Sequence, residues 1–190
     1  MGLMDGIPEP AVRALYGHWA AHRGRGRIPT VRDMDALHMP PKILPWLFLF
    51  RRNEDGRFRC ILVGTGIVGV EGRDTTGRFL DDLPWAVDKA RQVHLFDEAA
   101  STGLPIYYSG QWRAGCGGIR FFSRLLLPVG RNSGTVDHIF GMLHIGGAND
   151  GAPCRPGTPD HADRLLQVRR AASTDFYMPH LHEPALQTRG

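Results

Sequence analysis

The chain has 190 residues, of which 42% are apolar and 22% charged, values near globular averages that exclude a disordered chain and allow one compact domain with appendages. Its formal charge of +4 would suit an anionic partner, but the basic residues are scattered apart from Arg23, Arg25 and Arg27, so the cluster reads as a solvated loop and nucleic acid is not an expected partner. The longest apolar run, residues 43–50, is broken by Pro45, and the first ten residues lack a basic region followed by an apolar one; a cytoplasmic protein without a membrane partner is expected.

Val12, Leu15, Tyr16 and Trp19 fall at helical spacing and predict an amphipathic helix from Pro10 to His22, ended by the RGRGR run and Pro29. Its apolar stripe needs a cover, either the outer face of a sheet or a second subunit. Residues 30–44 read as an irregular connector rich in prolines and charges. Two apolar strands follow, Trp46 to Phe50 and Phe58 to Val63, and the turn Asn53-Glu54-Asp55-Gly56 between them predicts an antiparallel hairpin.

Between residues 64 and 83 the glycines at 64, 66, 69, 72 and 77 are too many for one long helix, so short helical turns and loops are expected. From Pro84 to Thr102, Ala86, Ala90, Val93, Phe96 and Ala100 recur at helical spacing and predict a long helix closed by Gly103. Three more strands are predicted, Leu104 to Trp112, Ile119 to Val129 and Val136 to Ile145, the last two joined by a turn at Asn132-Ser133-Gly134. Beyond Ile145 the composition turns to glycine, proline and polar residues, which predicts a linker. A short helix is expected to start at Thr158-Pro159 and run through Leu165, Leu166 and Val168, followed by a mobile tail. The expected division is therefore a domain over residues 8–147 and an extension over 148–190.

Several motifs invite chemistry. Residues 64–69 spell GxGxxG after an apolar strand, but a dinucleotide fold needs a long helix to start on those glycines, and Gly72 and Gly77 interrupt it. No phosphate loop, GxSxG elbow or HExxH pair occurs, so catalysis has no foothold and no catalytic or metal-binding residue is assigned. Cys60, Cys116 and Cys154 are odd in number and far apart, and read as ordinary thiols. His18 and His22 lie four apart without a third ligand, and Cys154, His161, His180 and His182 lack paired-ligand spacing. His138 and His144 share a strand face with Phe140 and Met142. His94, beside the apolar stripe of the long helix, is a weak candidate for a haem ligand against the plainer reading of a surface histidine.

The segments LYGHWAAHRGRGRIPTVRDMD, MPPKILPWLFLF, FRCILVGTGIV, GRDTTGRFLDD, RLLLPV and VDHIFGMLHI, in that order, resemble a bacterial PAS-like family, a branch of the PAS superfamily first catalogued as a domain of unknown function. The resemblance covers most of residues 10–147 and implies an α+β fold, a five-stranded antiparallel sheet with helices on one face. It also implies that the glycines and Thr65 turn the chain from the second strand into short helices, and that Arg73, Asp74 and Thr76 pin the following loop by hydrogen bonds. Cys60 stands where the family commonly has an aromatic residue. The implied function is a stand-alone sensory module without catalysis, binding a small-molecule ligand or a signalling protein and forming a homodimer. PAS domains in general take haem, flavin, small metabolites or nothing, so the cofactor stays unassigned. Candidate ligand contacts are Phe48, Cys60, Thr65, Arg73, Asp74, His94, Phe121 and Phe140. The alternative is a ligand-free interaction domain whose interior is filled by Phe48, Phe50, Phe58, Phe121 and Phe140.

Overall fold

The computed structural model describes residues 3–24, 27–35, 38–83, 89–113, 119–146 and 164–170. Helix α1 spans Pro10–His22; Pro10 opens it in the first turn, where a missing N–H costs nothing. A 3-10 turn at Pro41–Trp46 leads into β1 (Leu47–Arg52), which pairs antiparallel with β2 (Phe58–Val63) as the turn residues predict. Helix α2 (Thr65–Glu71) and a 3-10 turn at Leu80–Asp82 occupy the glycine-rich stretch. Helix α3 covers Lys89–Thr102, and the predicted start at Pro84 falls on residues 84–88, outside the described ones. Strands β3 (Ile106–Arg113), β4 (Ile119–Val129) and β5 (His138–Gly146) complete the expected five.

A sixth strand, β6 (Arg164–Arg170), corrects the helix expected at Leu165 and Val168. It pairs antiparallel with β3, Ser109 opposite Gln167, and gives the sheet the order β2-β1-β5-β4-β3-β6. Without it β3 would present an open row of backbone donors and acceptors, and a seven-residue segment satisfies its own peptide groups better there than in two isolated helical turns. The sheet therefore extends past the boundary expected at residue 147. Thr158, Pro159, Cys116, Cys154, His161, His180, His182 and Arg25 lie outside the described residues.

Because successive strand residues point to opposite faces, the sheet builds two cores. On one face Val12, Leu15 and Trp19 of α1 pack on Leu125, Leu127, Val129 and Met142, so the stripe of α1 is covered within the chain by the sheet. The Trp19 indole N–H donates to the Pro128 carbonyl at 2.8 Å. Just before the helix, the Glu9 carboxylate accepts bonds from the Tyr107 hydroxyl (3.1 Å) and the Ser123 hydroxyl (2.8 Å), and His144 Nδ1 stands 3.7 Å away. On the other face α2 and α3 cover Phe48, Phe50, Phe58, Ile139 and Leu143. There Phe96 of α3 stands with its ring centroid 5.3 Å from those of Phe50 and Phe58, both edge-on.

Candidate ligand cleft

Close backbone contact sets the position of α2 above the sheet. Gly64 caps the helix in an extended conformation, and a Cβ there would lie 2.3 Å from the Pro45 carbonyl oxygen; one on Gly66 would lie 2.9 Å from the same atom. Gly64 and Gly66, the first two glycines of the GxGxxG sequence, thus serve packing against the 3-10 turn, in line with the turning role the resemblance implied. Helix α2 ends at Gly72, whose φ of 73° suits a residue without Cβ. Asp74 then accepts the Thr76 amide at 2.8 Å, and hydrogen bonds from the Thr76 hydroxyl and amide hold its carboxyl below the ordinary carboxylate range. Residues 77 and 78 bond along the outer edge of β2, Gly77 N–H to the Cys60 carbonyl and Cys60 N–H to the Arg78 carbonyl, each at 2.8 Å.

Between this cover and the sheet lies a cleft. Phe48 and Phe50 of β1, Ile67 of α2, Leu80, Phe96 of α3 and Leu143 of β5 give it apolar walls, while Glu71, Thr75, Gln92 and Arg124 supply its polar groups. The void measures about 440 Å³ out to its open mouth, of which about 30 Å³ admits the centre of a water molecule. On that measure one water needs about 10–15 Å³, so the cleft holds about two. Arg124 of β4 donates from Nη1 to Gln92 Oε1 at 3.2 Å and to the Tyr108 hydroxyl at 3.4 Å, and its Nη2 stands 3.6 Å from Glu71 Oε1. The guanidinium carbon lies 5.6 Å from the centre of the Phe122 ring.

The expected contact residues divide. Phe48 lines the cleft, and Cys60 sits just behind it, fully buried, with the Thr75 hydroxyl 3.8 Å from its sulfur. Burial pushes the Cys60 thiol up to about 11. Thr65, Arg73 and Asp74 are exposed and outside the cleft lining. His94, the haem candidate, is 73% exposed and faces Glu98 at 3.9 Å; its place on α3 is one residue off the buried stripe. Phe121 is 49% exposed and Phe140 packs in the α1 core. Both have the parity that turns them to the α1 face, which also removes them from the filled interior expected of the alternative reading.

A PAS domain family model matches residues 7–144, most of the chain. The chain belongs to the PAS domain family. No match to a curated protein was found. For a PAS domain the sheet of five strands with helices over one face is the expected body, and β6 lies beyond the matched span. The family groups the chain with sensory and interaction modules. Arg124, Glu71 and Gln92, the polar centre of this PAS domain's cleft, escaped the sequence reading. Arg124 lies between Ser123 and Leu125 in a strand that reads as apolar, and a charged residue inside such a run was the signal available.

Proposed function

We propose that this PAS domain is a sensory module without catalytic activity, whose signal is a compact small molecule bound in the cleft between the sheet and α2 and α3. The observation that supports it is the Arg124 cluster, a cation and an anion both turned toward an apolar cleft and mostly withdrawn from water. Convergent polar groups in an apolar recess are the usual mark of a small-molecule site. Room for about two waters suits a molecule of a few heavy atoms, and a haem or flavin ring system would demand that the aromatic cluster be displaced. The binding change would pass to a signalling protein or to a second copy of the chain.

The aromatic packing around Phe96 also favours a second reading, an interaction domain whose interior is occupied by its own side chains. Comparing the mass of the freshly purified chain under native and denaturing conditions separates the two. We expect an added mass of at most about a hundred daltons, in keeping with room for about two waters, that is lost on denaturation and leaves no visible absorbance. A bare chain that also fails to respond to any small-molecule probe would favour the interaction domain.

A further inference from the structure

The β1–β2 hairpin turns one face to the core under α2 and α3 through Phe48, Phe50, Phe58 and Cys60. Its opposite face departs twice from ordinary sheet construction. Arg51 of β1 stands directly opposite Arg59 of β2, and like charges in that relation destabilise a sheet. Arg59 donates from Nε to the Gly77 carbonyl at 3.0 Å, and among the described residues neither arginine has a carboxylate partner. The register also shifts: Leu49 pairs with Leu62 and Phe50 with Cys60, which leaves Ile61 as an extra residue in β2. Such a bulge breaks the alternation of faces, and the consecutive residues Ile61 and Leu62 are 40% and 47% exposed where alternation would bury one of them.

A single exposed leucine is ordinary on a protein surface; two large apolar side chains beside two uncompensated cations ask for a cover that carries both apolar groups and negative charge. Helix α1 packs on β4 and β5 and leaves Ile61 and Leu62 open. At Cys60 the edge of β2 is already closed by the bonds to residues 77 and 78, so a partner must lie on the face and cannot add a strand there. A second copy in a two-fold contact would set the same patch against itself, arginine against arginine. Nucleic acid would leave the apolar pair without contact, and an anionic membrane takes clusters of about 4–8 basic residues. We propose that this face docks an acidic amphipathic helix of a partner protein, with its apolar residues on Ile61 and Leu62 and its carboxylates on Arg51 and Arg59. Arg59 and Leu62 are three residues apart, about 10 Å along a strand, which about two turns of helix span. The chain's formal charge of +4 favours the same encounter. None of the four residues lines the cleft, so this docking stands whether or not the cleft holds a small molecule.

The test titrates the full chain into a labelled helical peptide of about 15 residues, long enough to hold a helix, built of leucine at helical spacing and glutamate elsewhere, and read by fluorescence anisotropy. A second peptide replaces every glutamate by lysine. The glutamate peptide is expected to bind, and the lysine peptide at least about tenfold more weakly, the scale of two exposed ion pairs lost. Arg51→Glu with Arg59→Glu, and separately Ile61→Ser with Leu62→Ser, should each weaken the glutamate peptide by a similar factor; the comparison of peptides stands on the unaltered chain if a variant fails to fold. Equal binding of both peptides, no binding of either, or binding that both double variants leave unchanged would each overturn the proposal. So would phosphatidylserine vesicles that bind the chain when the glutamate peptide does not, which would give the face to a membrane. A native mass that doubles with concentration in the chain but not in the Ile61→Ser, Leu62→Ser variant would give it to a second copy instead.

Discussion

At the scale of single residues, the GxGxxG sequence shows how one pattern serves two physical ends. Its first glycine was legible as a turn residue, but what it turns against, the Pro45 carbonyl, lies far upstream and is visible only in three dimensions. Gly64→Ala should therefore cost about 1–3 kcal/mol, the range for forcing an extra methyl into a packed contact. Gly69, in the middle of α2, has nothing within 4 Å of where a Cβ would stand, so Gly69→Ala should instead be neutral or stabilise by about 0.5–1 kcal/mol through helix propensity. Urea unfolding of the two variants checks both signs, and a similar loss in both would contradict the packing role. Cys60 carries a different test. Its thiol is raised from 9.0 to about 11 by burial first, with Asp74 and Glu71 adding to it and the Thr75 bond opposing. The neutral form is the one the fold favours, so its contribution is complete below the unfolded thiol's pKa and is lost as pH rises from 9 toward 11. Over that interval the stability difference between the chain and its Cys60→Ala variant should shrink by about 2 kcal/mol; a difference flat with pH would refute it.

At the scale of elements, local pattern was a good guide wherever the element buries one face. Helix α1 and strands β2 and β4 have the bounds their apolar periodicity predicts, because burial against the sheet or a helix is what that periodicity records. Strand β6 was misread for the converse reason. Leu165, Leu166 and Val168 fit a helical stripe as well as a strand, and the deciding term, an open β3 edge, belongs to another part of the chain. Among the described residues both cores are composed of residues between 3 and 145, so a chain ending at Gly146 should still fold. In hydrogen exchange its β3 amides that point to β6 should lose protection by at least about tenfold, while those that point to β4 keep theirs, as expected when one ladder is removed and the other kept. Loss of cooperative unfolding in the shortened chain would instead make β6 integral to the domain. The Glu98 carboxylate, bonded by Arg170 Nη2 at 2.9 Å, ties the end of β6 to α3 and would lose that partner.

At the scale of the whole molecule, the α+β architecture and the hairpins were legible, whereas the partition of side chains between two cores was less so. A single strand pattern tells which residues share a face, and it grouped His138, Phe140, Met142 and His144 correctly. It does not tell which face meets α1 and which meets α3, and that choice moved Phe121 and Phe140 away from the cleft.

The same alternation has a mechanical consequence. On β4, Ser123 holds Glu9 on the α1 side and the next residue, Arg124, holds the polar cluster on the cleft side; on β3, Tyr107 and Tyr108 repeat the arrangement beside it. Two peptide units on neighbouring strands, each about 3.8 Å long, thus connect what the cleft contains to the carboxylate that anchors the start of α1. On the proposed sensory reading the sheet would itself be the transmission line: a pull on the guanidinium would reach the anchored helix through the thickness of one β layer, with no loop or hinge between the named residues.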